Sequence, residues 1–199
     1  MCLAGSKFYE KKSSFHFSFE EYIKEAEAFH GFAAPGLLVG GFMVSKAMKR
    51  FPPGVLYEVL CETSKCLPDA IQLLTPCTIG NGRLRIISLG RFALSLFNKD
   101  TGSGVRVFPN PAKVQSWPEL HAWYIKLKTK HERDLNLLIS QIKRAGEEIL
   151  EHQPIRIKQE VYKKISRGPM ALCPVCKETY PAAAGIPCLA CRGQSPYVA

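Results

Sequence analysis

The sequence predicts an α+β protein whose core runs helix, strand, helix, then three strands. That core forms one mostly antiparallel sheet, followed by a long helix and a small four-cysteine module. Three observations carry this reading. Helix and strand patterns alternate between Ser18 and Phe108. A run rich in helix formers follows Pro111. Two C-x-x-C pairs lie near the C-terminus. The expected domains are an α+β core over residues 15–168, including a helical segment over 117–151, and a metal module over 169–199.

The first helix begins at "SFEEYIKEAEAFHG", where Ser18 and Glu21 form a capping box and Gly31 is the stop. Phe19, Tyr22, Ile23, Ala26 and Phe29 share one face, which leaves His30 at the C-terminal edge. In "PGLLVGGFMVSKAMKRFPPG" the residues Leu37, Leu38, Gly41, Val44, Ala47 and Met48 keep helical spacing until Pro52 and Pro53 end it. Gly40 and Gly41 permit a close neighbour. They are not a phosphate loop, because no strand precedes them and no Gly-Lys-Ser/Thr follows.

"VLYEVLCE" reads as a buried strand and "LPDAIQLLT" as a short helix with Pro68 in its first turn. "GRLRIIS", "RFALSLF" and "GVRVF" read as three strands. In the middle one Phe92, Leu94 and Leu96 alternate with Arg91, Ala93 and Ser95. Their short connections predict antiparallel hairpins. Beyond Pro111, Ser116 and Glu119 make a second capping box. Leu127, His131, Leu135, Leu138, Ile142, Ala145 and Ile149 form a near-heptad stripe. A single helix over this run would be ~50 Å long. No small core covers such a stripe, so a homodimer is the expectation. "PIRIKQEVYKKI" follows as an edge strand.

The 199 residues are 46% hydrophobic and 22% charged, enough apolar material for a core. Net charge is +10, from 27 basic and 17 acidic residues, with no block of like charge that would make a nucleic-acid-binding arm. The N-terminal residues lack the apolar core of a signal peptide. The longest uncharged run, Gly31–Ser45, is too short and too rich in glycine and proline to span a bilayer. A soluble, cytoplasmic protein without membrane contact is expected, and reduced thiols with it.

Cys173, Cys176, Cys188 and Cys191 are spaced C-x2-C-x11-C-x2-C. Each pair sets two sulfurs on one turn, and two turns complete the tetrahedron that zinc favours. A redox role fits less well, since redox C-x-x-C motifs come singly in a thioredoxin-like setting. Catalysis fits less well too, since four thiolates leave no open position. Between these cysteines stand only Lys177 and Glu178 as charges, and Arg192 follows, so the module is no basic reading head.

"HGFAAPGLLVG", "CETSKCLPDAIQLLTPCTIGNGRL", "LGRFALSLF", "GVRV" and the C-terminal cysteines together resemble the FmdE family of formylmethanofuran dehydrogenase proteins. The resemblance covers roughly residues 18–110 and 170–192. It implies an α+β core, a treble-clef zinc finger, a homodimer, and association with a tungsten or molybdenum oxidoreductase in a methanogenesis-related setting. The family pattern His-Gly-His-x-Cys-Pro-Gly is broken here. Phe32 and Ala34 stand where the second histidine and the cysteine would be. What remains for a core metal or ligand site is His30, Cys66 and Cys77. His30 also reads as a helix-end residue, Cys61 as a packed strand residue and Cys77 as a structural turn residue. Cys66 precedes a helix start that should lower its thiol pKa, and Asp69 reads as a favourable charge in the first turn of that helix.

The leading expectation is therefore a zinc-binding accessory protein with no catalytic residue. The alternatives are a nucleic-acid-binding zinc finger, and a thiol- or metal-dependent enzyme using Cys66 and His30.

Overall fold

The computed structural model describes residues 18–163 and 168–198. The N-terminal stretch read above for a targeting signal lies outside them. The chain divides between Gln159 and Glu160 into two compact units.

In the first unit α1 spans Phe19–His30 and α2 spans Pro35–Arg50. The capping box is formed, with Glu21 N–H donating to Ser18 Oγ and Ser18 N–H donating to the Glu21 carboxylate. Gly31 closes α1 in the left-handed conformation, at φ 91°. The paired glycines of α2 serve packing. A Cβ at Gly40 would lie 2.7 Å from Ala70 Cβ, and one at Gly41 would lie 2.4 Å from the Tyr22 ring. These positions let α2 sit tightly against both neighbouring helices.

Strand β1 (Tyr57–Cys61) leads to α3 (Leu67–Leu74). Then come β2 (Leu84–Ile86), β3 (Leu94–Asn98), β4 (Ser103–Pro109) and β5 (Leu150–Arg156). Their order in the sheet is β2-β1-β3-β4-β5. Strands β3, β4 and β5 continue antiparallel from β1, while β2 runs parallel to it. The expected hairpin between the segments at 82–88 and 91–97 is thus absent, because β1 lies between β2 and β3. After β2 the chain runs on beside β1, with Ile87 and Leu89 N–H donating to Cys61 and Glu62 carbonyls. It then crosses to enter β3 on the other side.

Val59, Leu84, Leu94, Leu96, Val105 and Val107 are buried in one cluster with Leu37, Leu38, Met43, Leu67 and Ile71 of α2 and α3. The alternation expected for residues 91–97 is hidden, because Ala93, Ser95 and Phe97 are buried as well.

The largest departure lies after Pro111. No long helix forms over 117–151. A short α4 (Pro111–Val114) and α5 (Pro118–Tyr124) are followed by a non-helical stretch, then α6 (Leu135–Ala145) and β5. Lys126 has a positive φ of 59°, which a continuing helix cannot hold. Asp134 then caps a new start by accepting from Leu137 N–H. Glu119 fastens the bend by accepting from Asp134 N–H and Lys128 Nζ. Gln141 Oε1 takes the N–H groups of both Glu119 and Leu120. The stripe therefore folds back. Leu138, Ile142, Ala145 and Ile149 enter the chain's own core, while Leu127 and Leu135 are exposed. The exposed end of the stripe, Leu127 and Leu135, is what is then left for a second copy to cover.

The division falls inside the short α7 (Gln159–Tyr162), and the second unit holds a two-stranded ribbon of β6 (Met170–Leu172) and β7 (Thr179–Pro181) with two single 3-10 turns at Ala182–Ala184 and Ala190–Arg192. The edge strand expected over 154–165 ends at Arg156, and residues 164 and 165 of it lie outside the description.

Candidate metal centre and core cleft

In the second unit, β6 and β7 carry Cys173 and Cys176 on the turn between them. Cys173 N–H donates to the Glu178 carbonyl, and Lys177 N–H donates to the Cys173 carbonyl. Lys177 adopts φ 67° to close this knuckle. Cys188 and Cys191 lie on a second turn, where Arg192 N–H donates to the Cys188 carbonyl and Gly193 ends the turn at φ 87°.

The ligand sulfurs of Cys173, Cys176, Cys188 and Cys191 all lie within 4.8 Å of one another. Cys176 and Cys188 Sγ stand 3.8 Å apart. A tetrahedron of thiolates on zinc at ~2.3 Å has S–S edges of about 3.8 Å, so the spacing fits the ion. Backbone N–H groups of Cys188, Cys176 and Val175 bring the Cys173 thiol down to about 6. Contact with Cys188, then burial and the other cysteines, pushes Cys191 up to about 12. Four thiols this close ionise together only around a cation. Tyr180 and Ile186 stand between the two cysteine pairs as the sequence's candidates for packing over the metal; Tyr180 is buried, but Ile186 is 77% exposed.

The core residues behave differently. His30 Nδ1 lies 2.6 Å from Asp69 Oδ2, in the first turn of α3. The His30 ring also meets Phe32 at 5.1 Å, and Lys130 Nζ stands over that same phenyl ring at 5.7 Å. Cys66 is the N-cap of α3, at φ 53°, and a Cβ at Gly36 would lie 3.0 Å from its Cβ. Its thiol pKa is raised, against the expectation from a helix start. Burial dominates, and the Asp69 carboxylate adds to it, against the opposing charges of Lys130 and Lys65.

Cys77 is not brought to this group. It is buried near the other end of α3, with Sγ 3.7 Å from the Tyr57 carbonyl, and burial pushes its thiol up to about 11. Cys61 is likewise buried, its Sγ donating to the Thr63 carbonyl, and its thiol is pushed up to about 11. Among the described residues, the group of three or more His, Cys, Asp or Glu with metal-ligand spacing is the cysteine quartet.

Sequence reasoning missed one feature. Asp69 reads in the sequence only as a helix-start charge, yet it orients His30. A cleft of about 740 Å³ lies beside Cys66, lined by Phe92, Trp123, Tyr124 and five cations. Behind two of these cations stands Glu62, whose Oε1 accepts from Arg106 Nε at 2.6 Å and whose Oε2 lies 2.7 Å from Arg91 Nε. Burial alone would raise the Glu62 carboxyl. The hydrogen bonds and charge of Arg106, then the charge of Arg91, outweigh burial and hold it below the ordinary carboxylate range.

A sheet covered by helices, together with a quartet of thiolates on its own small unit, defines an α+β protein that carries a treble-clef zinc finger. Comparison with protein families places it further. The family described as FmdE, molybdenum formylmethanofuran dehydrogenase operon, matches residues 29–157. The FmdE treble clef zinc finger matches residues 164–198. The chain belongs to the FmdE family. It is similar to the crystal structure of a tungsten formylmethanofuran dehydrogenase FmdE-like protein from Syntrophus aciditrophicus. That likeness has 49% identity and a TM-score of 0.86, over 92% of this chain and 96% of that one. A probable S-adenosyl-L-methionine-binding protein of Archaeoglobus fulgidus is 30% identical over 105 residues, 48% of this chain; the match spans 28% of that relative's length. Among the described residues no helix is long and apolar enough to cross a membrane.

Proposed function

We propose that this chain is a zinc-stabilised accessory protein that works through protein contacts, with subunits of a molybdenum or tungsten oxidoreductase as partners and a homodimer as its own assembly. The observation that carries the reading is the finger. Four thiolates would close the coordination of a tetrahedral ion, which supports a structural role for the metal. Around that centre the module exposes Leu172 at 70%, Val175 at 65% and Ile186 at 77%. Apolar side chains on a small rigid module suit docking to another polypeptide.

The test is affinity capture by the tagged full chain, with molybdenum and tungsten measured in the captured fraction and native mass spectrometry of the isolated chain. Large oxidoreductase subunits carrying either metal should co-purify with the unmodified chain. They should be lost with Leu172→Asp combined with Ile186→Asp. Capture of no such subunit, and a monomer at micromolar concentration, would remove the reading.

The core belongs to the same proposal as a degenerate metal site. Phe32 is half exposed against His30, and Ala34 is buried at the N-cap of α2. With Phe32→His and Ala34→Cys together, the ligand types of the family pattern return beside His30. Metal content should then rise from one to two ions per chain. A count that stays at one would show that the core geometry no longer supports the site. The S-adenosyl-L-methionine named for the Archaeoglobus relative suits this cleft poorly, since its sulfonium would face five cations.

A further inference from the structure

We propose that the cleft beside Cys66 binds a small anionic ligand: a planar ring bearing two or more carboxylate or phosphate charges. This inference names a ligand class for the cleft, and it stands whether or not the chain docks on an oxidoreductase.

The first argument is charge. Lys65, Arg91, Arg106, Lys126 and Arg133 line the cleft, and no Asp or Glu does. The carboxylate behind the wall, Glu62, is already shared by Arg106 and Arg91. Arg133 donates to the Lys128 carbonyl, which fixes its direction without neutralising it. Among the described residues, neither Lys65 nor Lys126 forms an ion pair. Like charges gathered in one concavity repel each other, and an entering polyanion relieves that repulsion.

The second argument is preorganisation. The Arg106 side chain is only 14% exposed. Glu62 holds it on one side, and the Phe108 ring lies 4.7 Å from its guanidinium carbon. A guanidinium fixed in this way recognises carboxylate or phosphate at little entropic cost.

The third is shape. Phe92 and Trp123 meet edge to face at 6.1 Å, and Tyr124 adjoins Trp123. Such an arrangement leaves aromatic surface for a stacked ring. A volume of about 740 Å³ holds a nucleotide-sized molecule and far exceeds a lone inorganic anion. Cys66, held as a thiol by its surroundings, contributes a polarisable wall.

Two sources of the charge are distinguished by two probes. ADP carries it as phosphate and folate as carboxylate; adenosine is the uncharged control. Titration calorimetry on the full zinc-loaded chain at low ionic strength should show binding of ADP, of folate or of both. Binding should weaken as salt rises, and adenosine should bind at least about ten-fold more weakly. Quenching of tryptophan fluorescence should accompany binding and vanish with Trp123→Phe.

Lys65→Glu removes one exposed cation. Lys126→Asn removes another with a residue that tolerates positive φ. Together they should weaken binding at least about ten-fold without changing the melting temperature. The proposal is overturned if neither anion binds at millimolar concentration, if adenosine binds as well as ADP, or if the double variant binds as tightly as the parent.

Discussion

Replacing Cys176 by serine is expected to release the zinc and unfold the finger while the α+β core stays folded. The finger has little else to hold it. Among its described residues only Cys173 and Tyr180 are buried, and one of these is itself a ligand. Metal binding in such modules supplies on the order of 10 kcal/mol of folding free energy at neutral pH. The ribbon of β6 and β7 is three residues a side, too short to persist alone. Serine offers a hydroxyl of far lower acidity and leaves a three-thiolate site.

Elemental analysis should fall from one zinc per chain to well below half. The hydrogen-exchange protection of residues 170–192 should disappear, while that of β1, β3 and β4 is unchanged. Cys61→Ser is the matched control, because Cys61 is buried in the core of the first unit and is not one of the quartet, and it should keep the metal. Full zinc in the Cys176 variant would disprove the clamp.

The finger was legible because its chemistry is written in spacing. Two residues between thiolates fix both sulfurs of a pair on one turn, whatever the rest of the chain does. The helices over 19–30 and 35–50 were legible for a similar reason, since the capping box, Gly31, Pro35 and the proline pair are all local signals. The sheet order was not. Nothing in "LG" between the segments at 82–88 and 91–97 says that β1 will lie between them, because the pairing of Val59 with Leu84 and Cys61 with Ile86 is distant in sequence.

The long helix failed where tertiary contacts overrode propensity. Glu119 accepts the Asp134 backbone N–H, which a continuous helix would have used within itself, and Gln141 caps the first turn of α5 from the returning helix. The core site was half legible. Local signals put His30 at the end of α1 and Cys66 at the start of α3, and the fold adds Asp69 as the partner of His30. Burial and the Asp69 carboxylate, which no local pattern announces, reversed the expected shift of the Cys66 thiol. The cationic cleft draws on residues from Gly36 to Arg133, so only the fold assembles it.

Changing Glu62 to glutamine is expected to destabilise the core by about 3 kcal/mol, because it leaves Arg106 and Arg91 without their shared counter-charge. Arg106 is the decisive partner. It is largely buried and makes two parallel contacts, Nε to Oε1 at 2.6 Å and Nη2 to Oε2 at 2.9 Å. Arg91, whose side chain is 60% exposed, can turn into solvent and contributes little.

The effect has a pH signature. The Glu62 carboxyl sits below the ordinary carboxylate range when folded. Its contribution is therefore complete above the unfolded value of ~4.3, and is lost as pH falls through the lower folded value. Urea unfolding should show a constant gap between parent and variant from pH 6 to pH 8. The gap should narrow once the pH drops below the ordinary carboxylate range, as the parent loses what the variant never had. Pairing Glu62→Leu with Arg106→Met should recover part of the loss at neutral pH, since a buried ion pair replaced whole costs less than one broken. A gap that persists unchanged into strong acid would mean that glutamine acts through packing and that the ion pair does not hold this end of the sheet.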